Sequence, residues 1–200
     1  MSAEALFSAG PGLHARPFAA DQAPRLQAFM AANPEYWLRV SGAPPGPREA
    51  EEELASRPPP ELSWREHFNL GLWQEDARTE PLLQGFVMLD SDLVLPGCWH
   101  IALFLMATSL HGSGLGQRWY EALEAWARQQ GAQWLRLGVV LGNTPAERFW
   151  VRQGFAELRQ RQGVVAGERR NTVRIMLKPL GQAGAADYLA RVPRDRPESG

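Results

Sequence analysis

A glycine-rich turn between a buried strand and an amphipathic helix constrains this chain more than any other feature. The turn is His111-Gly112-Ser113-Gly114-Leu115-Gly116, and the apolar segment Trp99–Ala107 precedes it. That segment is too short to cross a membrane and has the length of a buried strand. After the turn, apolar residues recur at helical spacing as far as Gly131, which suits a helix C-cap. The chain is therefore predicted to pass from a strand through glycines directly into a helix.

Such a turn leaves backbone N–H groups unpaired at a helix N-terminus, where the helix dipole favours an anion such as a phosphate. Two common nucleotide motifs fit poorly. A phosphate-binding NTPase loop needs Lys and Ser/Thr after its last glycine, but Gln117 and Arg118 follow Gly116. A dinucleotide fold needs one more residue before the last glycine and an acidic residue after the next strand, which here ends in Gly142-Asn143.

The turn resembles the acetyl-CoA pyrophosphate loop of GNAT-type N-acetyltransferases, Arg/Gln-x-x-Gly-x-Gly/Ala, with Gly114 and Gly116 at the two small positions. The second landmark of that family is an Asn, an Ala three residues later, an aromatic residue and then Gly-Phe. It is matched here by Asn143-Thr-Pro-Ala146-Glu-Arg-Phe149-Trp150-Val-Arg-Gln-Gly154-Phe155. The resemblance is specific over residues 98–160 and extends in outline from 13 to 178.

The resemblance implies a mixed α/β fold with helices flanking a mostly antiparallel sheet of about six to seven strands, splayed between strands four and five. Strands are predicted at Leu13–Phe18, Glu66–Gln74, Leu82–Leu89, Trp99–Ala107, Trp134–Leu141, Phe155–Gln160 and Asn171–Leu177. Helices are predicted from Asp21 to Asn33, over the acidic segment 48–54, after the glycine turn, and from Thr144, which serves as N-cap. The charge run 48–54 is interpreted as a solvated face; the alternative implied by the resemblance is that it lies over the acceptor site and favours a cationic amine. Residues 1–11 are expected to form a flexible N-terminus, 12–180 the acetyltransferase domain and 181–200 a dispensable C-terminal tail, with docking of Tyr188-Leu-Ala as a turn of helix as the alternative.

The resemblance also implies acetyl-CoA as cosubstrate. In the family, free backbone groups of strand four hold the pantetheine arm, the loop holds the pyrophosphate, and the Asn and aromatic residues of the second landmark complete the site. His111 stands where the family usually has Arg or Gln. The cofactor-binding residues expected by position are Phe104, Leu105, Met106, His111, Gly112, Ser113, Gly114, Leu115, Gly116, Asn143, Phe149 and Trp150.

Acetyl transfer from a thioester to an amine needs a polarised carbonyl, a group that accepts the amine proton and a group that protonates the departing thiolate. The family commonly has a Tyr beside the sulfur, and Trp150 takes its place here. An indole N–H donates a hydrogen bond but does not release its proton at useful pH. Trp150 is therefore interpreted as packing around the cofactor, and Tyr36 is a substitute donor.

The general base is left open by the sequence. Many relatives use a carboxylate on strand four, but Trp99–Ala107 contains no acid. His100 is the titratable side chain of that strand, and an ordinary pKa of ~6.5 suits a base near neutral pH. Glu35 and the pair Asp90 and Asp92 are further candidates.

The composition narrows the function classes. The net charge of −1 gives no basic surface for nucleic acid, and no stretch is apolar enough to span a bilayer. The single cysteine, Cys98, excludes an internal disulfide and suits a reducing cytoplasm, and the four histidines show no metal-ligand spacing. The N-terminus has no signal-peptide pattern.

The sequence therefore predicts a cytoplasmic N-acetyltransferase, monomeric or homodimeric, that uses no metal. It is predicted to move the acetyl group of acetyl-CoA to a primary amine, with a small molecule as acceptor and direct transfer in a ternary complex. An acyl-CoA-binding module with little or no activity is the main alternative, because Trp150 replaces the Tyr and strand four lacks an acid. A nucleotide-binding oxidoreductase is the third possibility.

Overall fold

The structure is a computed structural model that describes residues 4–76 and 78–198. One eight-stranded sheet has the order β1-β2-β3-β4-β5-β6-β8-β7. Its strands span Phe7–Gly10 (β1), Leu13–Pro17 (β2), His67–Gln74 (β3), Leu82–Asp90 (β4), Cys98–Met106 (β5), Trp134–Val140 (β6), Ala156–Ala166 (β7) and Arg169–Pro179 (β8). Neighbouring strands are antiparallel except β5 and β6, which run parallel. The predicted mixed, mostly antiparallel sheet is confirmed.

Helices cover both faces of this sheet. They span Ala23–Ala32 (α1), Glu35–Val40 (α2), Glu49–Ala55 (α3), Leu115–Gln129 (α4), Thr144–Arg152 (α5) and Ala185–Arg191 (α6). Successive β4 residues contact different cores: Val87 packs with α4 and α5, whereas Phe86 packs with α1 and α2. Because side chains alternate between the faces of a strand, α4 and α5 cover one face and α1 to α3 the other. Among the described residues, no helix is both long and apolar enough to cross a bilayer.

The first strand, β1, lies within the segment 1–11 that the sequence predicted to be flexible. Phe7 stacks on Trp126 of α4 with ring centroids 5.3 Å apart, and Arg118 donates a hydrogen bond to the Ala9 carbonyl at 3.0 Å. These tertiary contacts offset the ordering cost of a four-residue strand that has little propensity of its own. For residues 7–10 the prediction is wrong, and residues 1–3 lie outside the described part of the chain.

Other boundaries also differ from the prediction. α1 begins at Ala23, with no side-chain cap from Asp21, which lies in a preceding 3-10 turn. The segment 34–40, for which no element was predicted, contains α2. The final hairpin is longer than expected, because β7 continues to Ala166 and β8 begins at Arg169.

The C-terminal segment is part of the core. Tyr188 of α6 is fully buried, and Asp195 is 1% exposed. The Asp195 carboxylate accepts two hydrogen bonds from Arg136 of β6, at 2.7 and 3.0 Å, and one from the Tyr188 hydroxyl at 2.6 Å. Arg136 is itself 7% exposed, so Asp195 provides the counter-charge that a buried guanidinium requires. The helical turn at Tyr188 docks, as the alternative for the tail allowed, and this segment packs with the core instead of forming a separate tail.

Replacing Asp195 should destabilise the fold strongly. Asp195→Ala leaves the Arg136 guanidinium buried without its partner, and we expect a loss of about 3–5 kcal/mol in the free energy of unfolding, measured by urea denaturation. Glu198→Ala is the control, because Glu198 is exposed in the same segment and should change stability by less than about 0.5 kcal/mol. Equal, small effects of the two substitutions would show that the segment is dispensable after all.

Candidate active site

The two parallel central strands are paired over only part of their length. Hydrogen-bonded register joins Cys98–Ile101 of β5 to Trp134–Leu137 of β6 and does not continue beyond. Gly138, the next residue of β6, is exposed although it lies in an inner strand. The sheet is therefore splayed at this point, between the strands that the sequence counted as fourth and fifth before β1 was known.

A β-bulge in β5 marks the start of the splay. Ile101 lies opposite Leu89 and Leu103 opposite Met88, so Ala102 is an extra residue on β5. A bulge bends its strand and interrupts the alternation of side chains. Ala102 is exposed in the middle of the sheet. Together with Gly138 of β6 it forms the floor of an open cleft, which we call the central cleft.

The edge of β5 that faces the central cleft offers free backbone groups. Ala107 donates its N–H to the Gln84 carbonyl of β4 at 2.8 Å. Bonded pairs recur at every second residue of an antiparallel ladder, so Leu105 also directs its backbone groups to β4. Phe104 and Met106, between these positions, direct their N–H groups into the central cleft. Two of the three predicted strand residues therefore direct their N–H groups to the central cleft, and Leu105 does not.

The glycine turn presents a second set of N–H groups. Gly112 and Gly114 have φ of 79° and 82°, which favours glycine, and a Cβ at either position would point into open space. α4 begins immediately afterwards. The N–H groups of Gly112, Gly114 and Gly116 make no hydrogen bond to any described residue. They form a concave, exposed donor set with the positive end of the α4 dipole behind it.

The three other predicted loop positions use their N–H groups within the loop. His111 donates to Thr108, Ser113 to Leu110 and Leu115 to the Ser113 hydroxyl, at 3.1 to 3.2 Å. These bonds fix the shape of the turn and use the N–H groups of His111, Ser113 and Leu115. Among the described residues of the loop, only the three glycine N–H groups are therefore free to bind an anion. The His111 side chain remains exposed beside them.

Aromatic side chains of α5 form one wall of the central cleft. The ring of Phe104 lies 6.0 Å from that of Phe149 and 5.6 Å from that of Trp150. Trp150 is 7% exposed and also packs edge-on against Tyr120 and Phe155. Trp150 is thus a core residue that supports the β5 edge, whereas the sequence analysis interpreted it as packing around the cofactor.

Asn143, rather than Thr144, is the N-cap residue of α5. Its side chain is half-buried and makes no hydrogen bond to any described residue. Glu147 accepts a hydrogen bond from the Gly142 N–H at 3.1 Å, which leaves the Asn143 amide unused. A free amide at this position can bond to a cofactor arm.

Helix α2 bridges the open end of the central cleft. At its start, Asn33 accepts a hydrogen bond from the Thr108 N–H at 2.6 Å, and Glu35 accepts one from the Thr108 hydroxyl, at the end of β5. At its end, three successive carbonyls are capped by the tip of the β7–β8 hairpin. Arg39 O accepts from Arg169 at 3.0 Å, Val40 O from Asn171 at 2.8 Å and Ser41 O from the Glu168 N–H at 3.0 Å. The helix therefore spans the two arms of the sheet, a role that the sequence did not predict.

The three predicted catalytic side chains do not come together. Glu35 and Tyr36 lie in α2, whereas His100 lies on β5 below the splay, opposite Arg136. Hydrogen bonding from Thr108 holds the pKa of Glu35 below its usual value. Burial raises the pKa of Tyr36, and its hydroxyl has no hydrogen-bond partner among the described residues.

His100 does not have the pKa that its prediction as a base assumed. Its Nδ1 lies 3.1 Å from the Arg136 carbonyl oxygen, and the Arg136 guanidinium is 3.3 Å away. Burial, and then the positive charge of Arg136, lower the pKa of His100 to about 3. A neutral imidazole at this site is a very weak base, so the premise of a pKa near 6.5 is wrong.

The remaining candidates have structural partners. Asp90 pairs with His67 at 2.6 Å, and Asp92 accepts a hydrogen bond from the Gly97 N–H at 2.7 Å. Burial raises the pKa of the Cys98 thiol to about 12, so it stays protonated. Within the described residues, no group of three or more His, Cys, Asp or Glu is placed to hold a metal ion.

The sequence analysis considered the acidic run 48–54 as a whole and did not distinguish Glu53 within it. Glu53 is half-buried on α3, and its carboxylate forms no hydrogen bond or ion pair with any described residue. Burial, and then the charges of Glu49 and Glu52, raise its pKa to about 7. In the sequence it is one of several acids in a charge run, and only the orientation of the helix distinguishes it.

Comparison with solved structures gives many likenesses of fold. An acetyltransferase from Thermus thermophilus has a TM-score of 0.63 at 19% identity, over 88% of this chain and 99% of that one. The ribosomal-protein-S18-alanine N-acetyltransferase from Escherichia coli has a TM-score of 0.58 at 18% identity, over 86% and 96%. A ribosomal-protein-alanine N-acetyltransferase from Brucella melitensis has a TM-score of 0.56 at 18% identity, over 82% and 98%. At these identities the likeness shows the fold alone.

Comparison of the sequence with family models identifies the family. No curated protein sequence matches it significantly. The model of the Acetyltransferase (GNAT) family, however, matches residues 27–155, well over half of the chain. This range includes the splayed strands, the glycine turn, and α5 with its aromatic wall. The chain therefore belongs to the GNAT acetyltransferase family.

Proposed function

We propose that this protein transfers the acetyl group of acetyl-CoA to a primary amine, by direct attack in a ternary complex. The observation that supports this most is the continuous line of free backbone N–H groups along the central cleft. Phe104 and Met106 offer them on β5, and Gly112, Gly114 and Gly116 offer them at the start of α4. Donors in this order suit an amide-containing arm that ends in a pyrophosphate.

Backbone donors on a bent strand also suit the reaction. A thioester carbonyl that gains negative charge during attack is stabilised by fixed N–H groups that need no reorganisation. Cys98 is buried and protonated, and no other activated nucleophile is evident among the described residues, which favours direct transfer over a covalent intermediate. The free, buried thiol also suits a reducing compartment, and we propose the cytoplasm.

The roof formed by α2 favours a small-molecule acceptor. Because both ends of α2 are hydrogen-bonded, one to Thr108 and the other to the β7–β8 hairpin, the acceptor end of the cleft is covered by fixed structure. A slender amine passes such an opening more readily than a folded protein surface.

Initial-rate kinetics test this function. CoA release, followed with a thiol reagent, should depend on both acetyl-CoA and an amine drawn from a panel of small primary amines. Intersecting double-reciprocal lines are expected for direct transfer, and parallel lines would indicate an acetyl-enzyme. The alternative, a CoA-binding protein without turnover, is favoured by Trp150 at the Tyr position. Saturable acetyl-CoA binding with no amine-dependent release across the panel would support it.

The glycine turn can be tested by substitution. Gly114→Glu should abolish acetyl-CoA binding in calorimetry, because a carboxylate and a side chain enter the donor set. Gly131→Glu is the matched control: Gly131 has φ of 91°, also faces open space and follows the other end of α4. It should have the same backbone strain, about 1 kcal/mol, but unchanged affinity. Equal affinity of both variants would mean that the turn does not bind the cofactor.

The effect of having Trp150 in place of a tyrosine proton donor can be tested by restoring the tyrosine. Trp150→Tyr should keep acetyl-CoA binding and raise turnover if protonation of the thiolate limits the rate. It should also cost about 1–3 kcal/mol of stability, because a buried indole with four aromatic neighbours becomes smaller. Trp150→Phe has a similar packing cost without the hydroxyl, so an equal rise in both variants would exclude proton donation as the cause.

A further inference from the structure

Glu53 differs from the other acids of its helix in having a carboxylate that is half-buried and unpaired. Glu49 accepts hydrogen bonds from the Trp37 indole at 2.7 Å and from the Gly46 N–H at 2.9 Å. Glu51 pairs with Arg48 at 2.9 Å on the surface, and Glu52 is exposed to water. Glu53 is half-buried, and its carboxylate forms no hydrogen bond or ion pair with any described residue. Partly burying a carboxylate without a partner is costly, so this position needs an explanation.

Helix α3, which carries Glu53, packs on the sheet next to the β-bulge of β5. Its Ala50 N–H donates to Gln27 of α1 at 3.0 Å, and its Leu54 carbonyl accepts from the Asn69 side chain at 3.2 Å. Asn69 lies opposite Met88, and Met88 lies opposite Leu103, which follows the bulge. These contacts hold the end of α3 over the row of residues where the central cleft opens.

Tyr36 connects Glu53 to the roof of the central cleft. Its ring packs edge-on against Trp37 at 5.2 Å and lies on the core cluster that contains Met88, Leu103 and Leu105. The negative charge of Glu53 is, after burial, the main cause of the raised pKa of Tyr36. The Glu53 carboxylate and the Tyr36 hydroxyl, neither with a hydrogen-bond partner among the described residues, are therefore close enough for the charge of one to act on the other.

We propose that Glu53 accepts the proton of the acceptor amine and that Tyr36 orients the same nitrogen, so that the acceptor enters as a primary ammonium ion. This inference rests on the proposed acetyl transfer. Glu53 takes one proton from the ammonium group, and the freed lone pair forms the C–N bond to the thioester carbon. The C–S bond breaks with its electron pair on sulfur. The sulfur takes up the proton that the new amide nitrogen loses, and Glu53 returns its own proton to water.

The other candidates suit this task less well. Glu35 is held by the Thr108 hydroxyl and has a lowered pKa, and His100 is a very weak base below the cleft. The titratable groups that act on Glu53 are Glu49 and Glu52 of its own helix and Tyr36 of α2. Burial and these carboxylates raise the pKa of Glu53 to about 7, which is near the value that serves a general base best at neutral pH.

The raised pKa has a consequence for stability with a definite sign. Folding favours the protonated form, so this stabilising contribution is complete below the unfolded-state pKa of about 4.3 and is lost as the pH rises through about 7. Glu53→Gln should therefore raise the melting temperature at pH 8 and leave it nearly unchanged at pH 4. A variant that is destabilised at pH 8 would show that Glu53 has a stabilising partner, which contradicts the proposal.

Two nucleophiles separate the proton-accepting role from a structural one. Benzylamine is protonated at pH 7.5 and needs a base, whereas hydroxylamine is mostly neutral there. Glu53→Gln should lower kcat/KM for benzylamine on the order of 100-fold and for hydroxylamine by less than about threefold, with acetyl-CoA affinity unchanged. Glu51→Gln, on the same helix, should match the wild type. The inflection near pH 7 in the wild-type benzylamine profile should disappear in Glu53→Gln.

The outcomes distinguish failure of the role of Glu53 from failure of the proposed acetyl transfer. Equal losses with both nucleophiles, or no loss, would overturn the role of Glu53 and leave acetyl transfer in place. Absence of CoA release above the uncatalysed rate by the wild type, with both nucleophiles and across the amine panel, would overturn the proposed function, and the role of Glu53 with it.

Discussion

The separation of β5 from β6 after Ile101 is the constraint on which the site depends. A fully paired sheet would use the N–H groups of Phe104 and Met106 in its own ladder and would leave no room between the strands. The bulge at Ala102 ends that pairing and leaves those groups available. An unpaired inner edge is unfavourable in isolation. The proposed cosubstrate would accept hydrogen bonds from these N–H groups and so offset the free-energy cost of leaving them unpaired.

The surrounding elements hold the two arms of the sheet in place. On one side of the splay, α2 is hydrogen-bonded to the end of β5 and to the tip of the β7–β8 hairpin. Below it, the buried pair of Arg136 and Asp195 joins β6 to the C-terminal segment. The cleft is thus a rigid feature with a fixed roof and base, as electrostatic stabilisation by backbone donors requires.

The sequence predicted the parts of the site that depend on local chemistry. Gly114 needs a positive φ and an open outer face, and both requirements are visible as a glycine between a strand and a helix. Phe104 and Met106 were expected, together with Leu105, only from their position in the resemblance to the family. The bulge at Ala102 was not predicted, because an alanine in an apolar run gives no sign of which residue is left unpaired.

Features that depend on distant partners were also missed. β1 forms because Phe7 and Ala9 meet α4, and Asp195 is buried because Arg136 needs a counter-charge. The pKa of His100 follows from the same Arg136, which lies far away in the sequence. Glu53 is indistinguishable from its acidic neighbours until the helix is docked. Local patterns contain none of these contacts.

Amide NMR spectroscopy of the 15N-labelled protein during titration with acetyl-CoA tests the central claim most directly. The account predicts saturable shifts that are largest for the N–H groups of Phe104, Met106, Gly112, Gly114 and Gly116. The N–H of Leu105, bonded to β4, should shift less. Saturable shifts confined to another part of the protein, or no binding at all, would contradict the claim that the splayed edge of β5 and the glycine turn hold the cosubstrate.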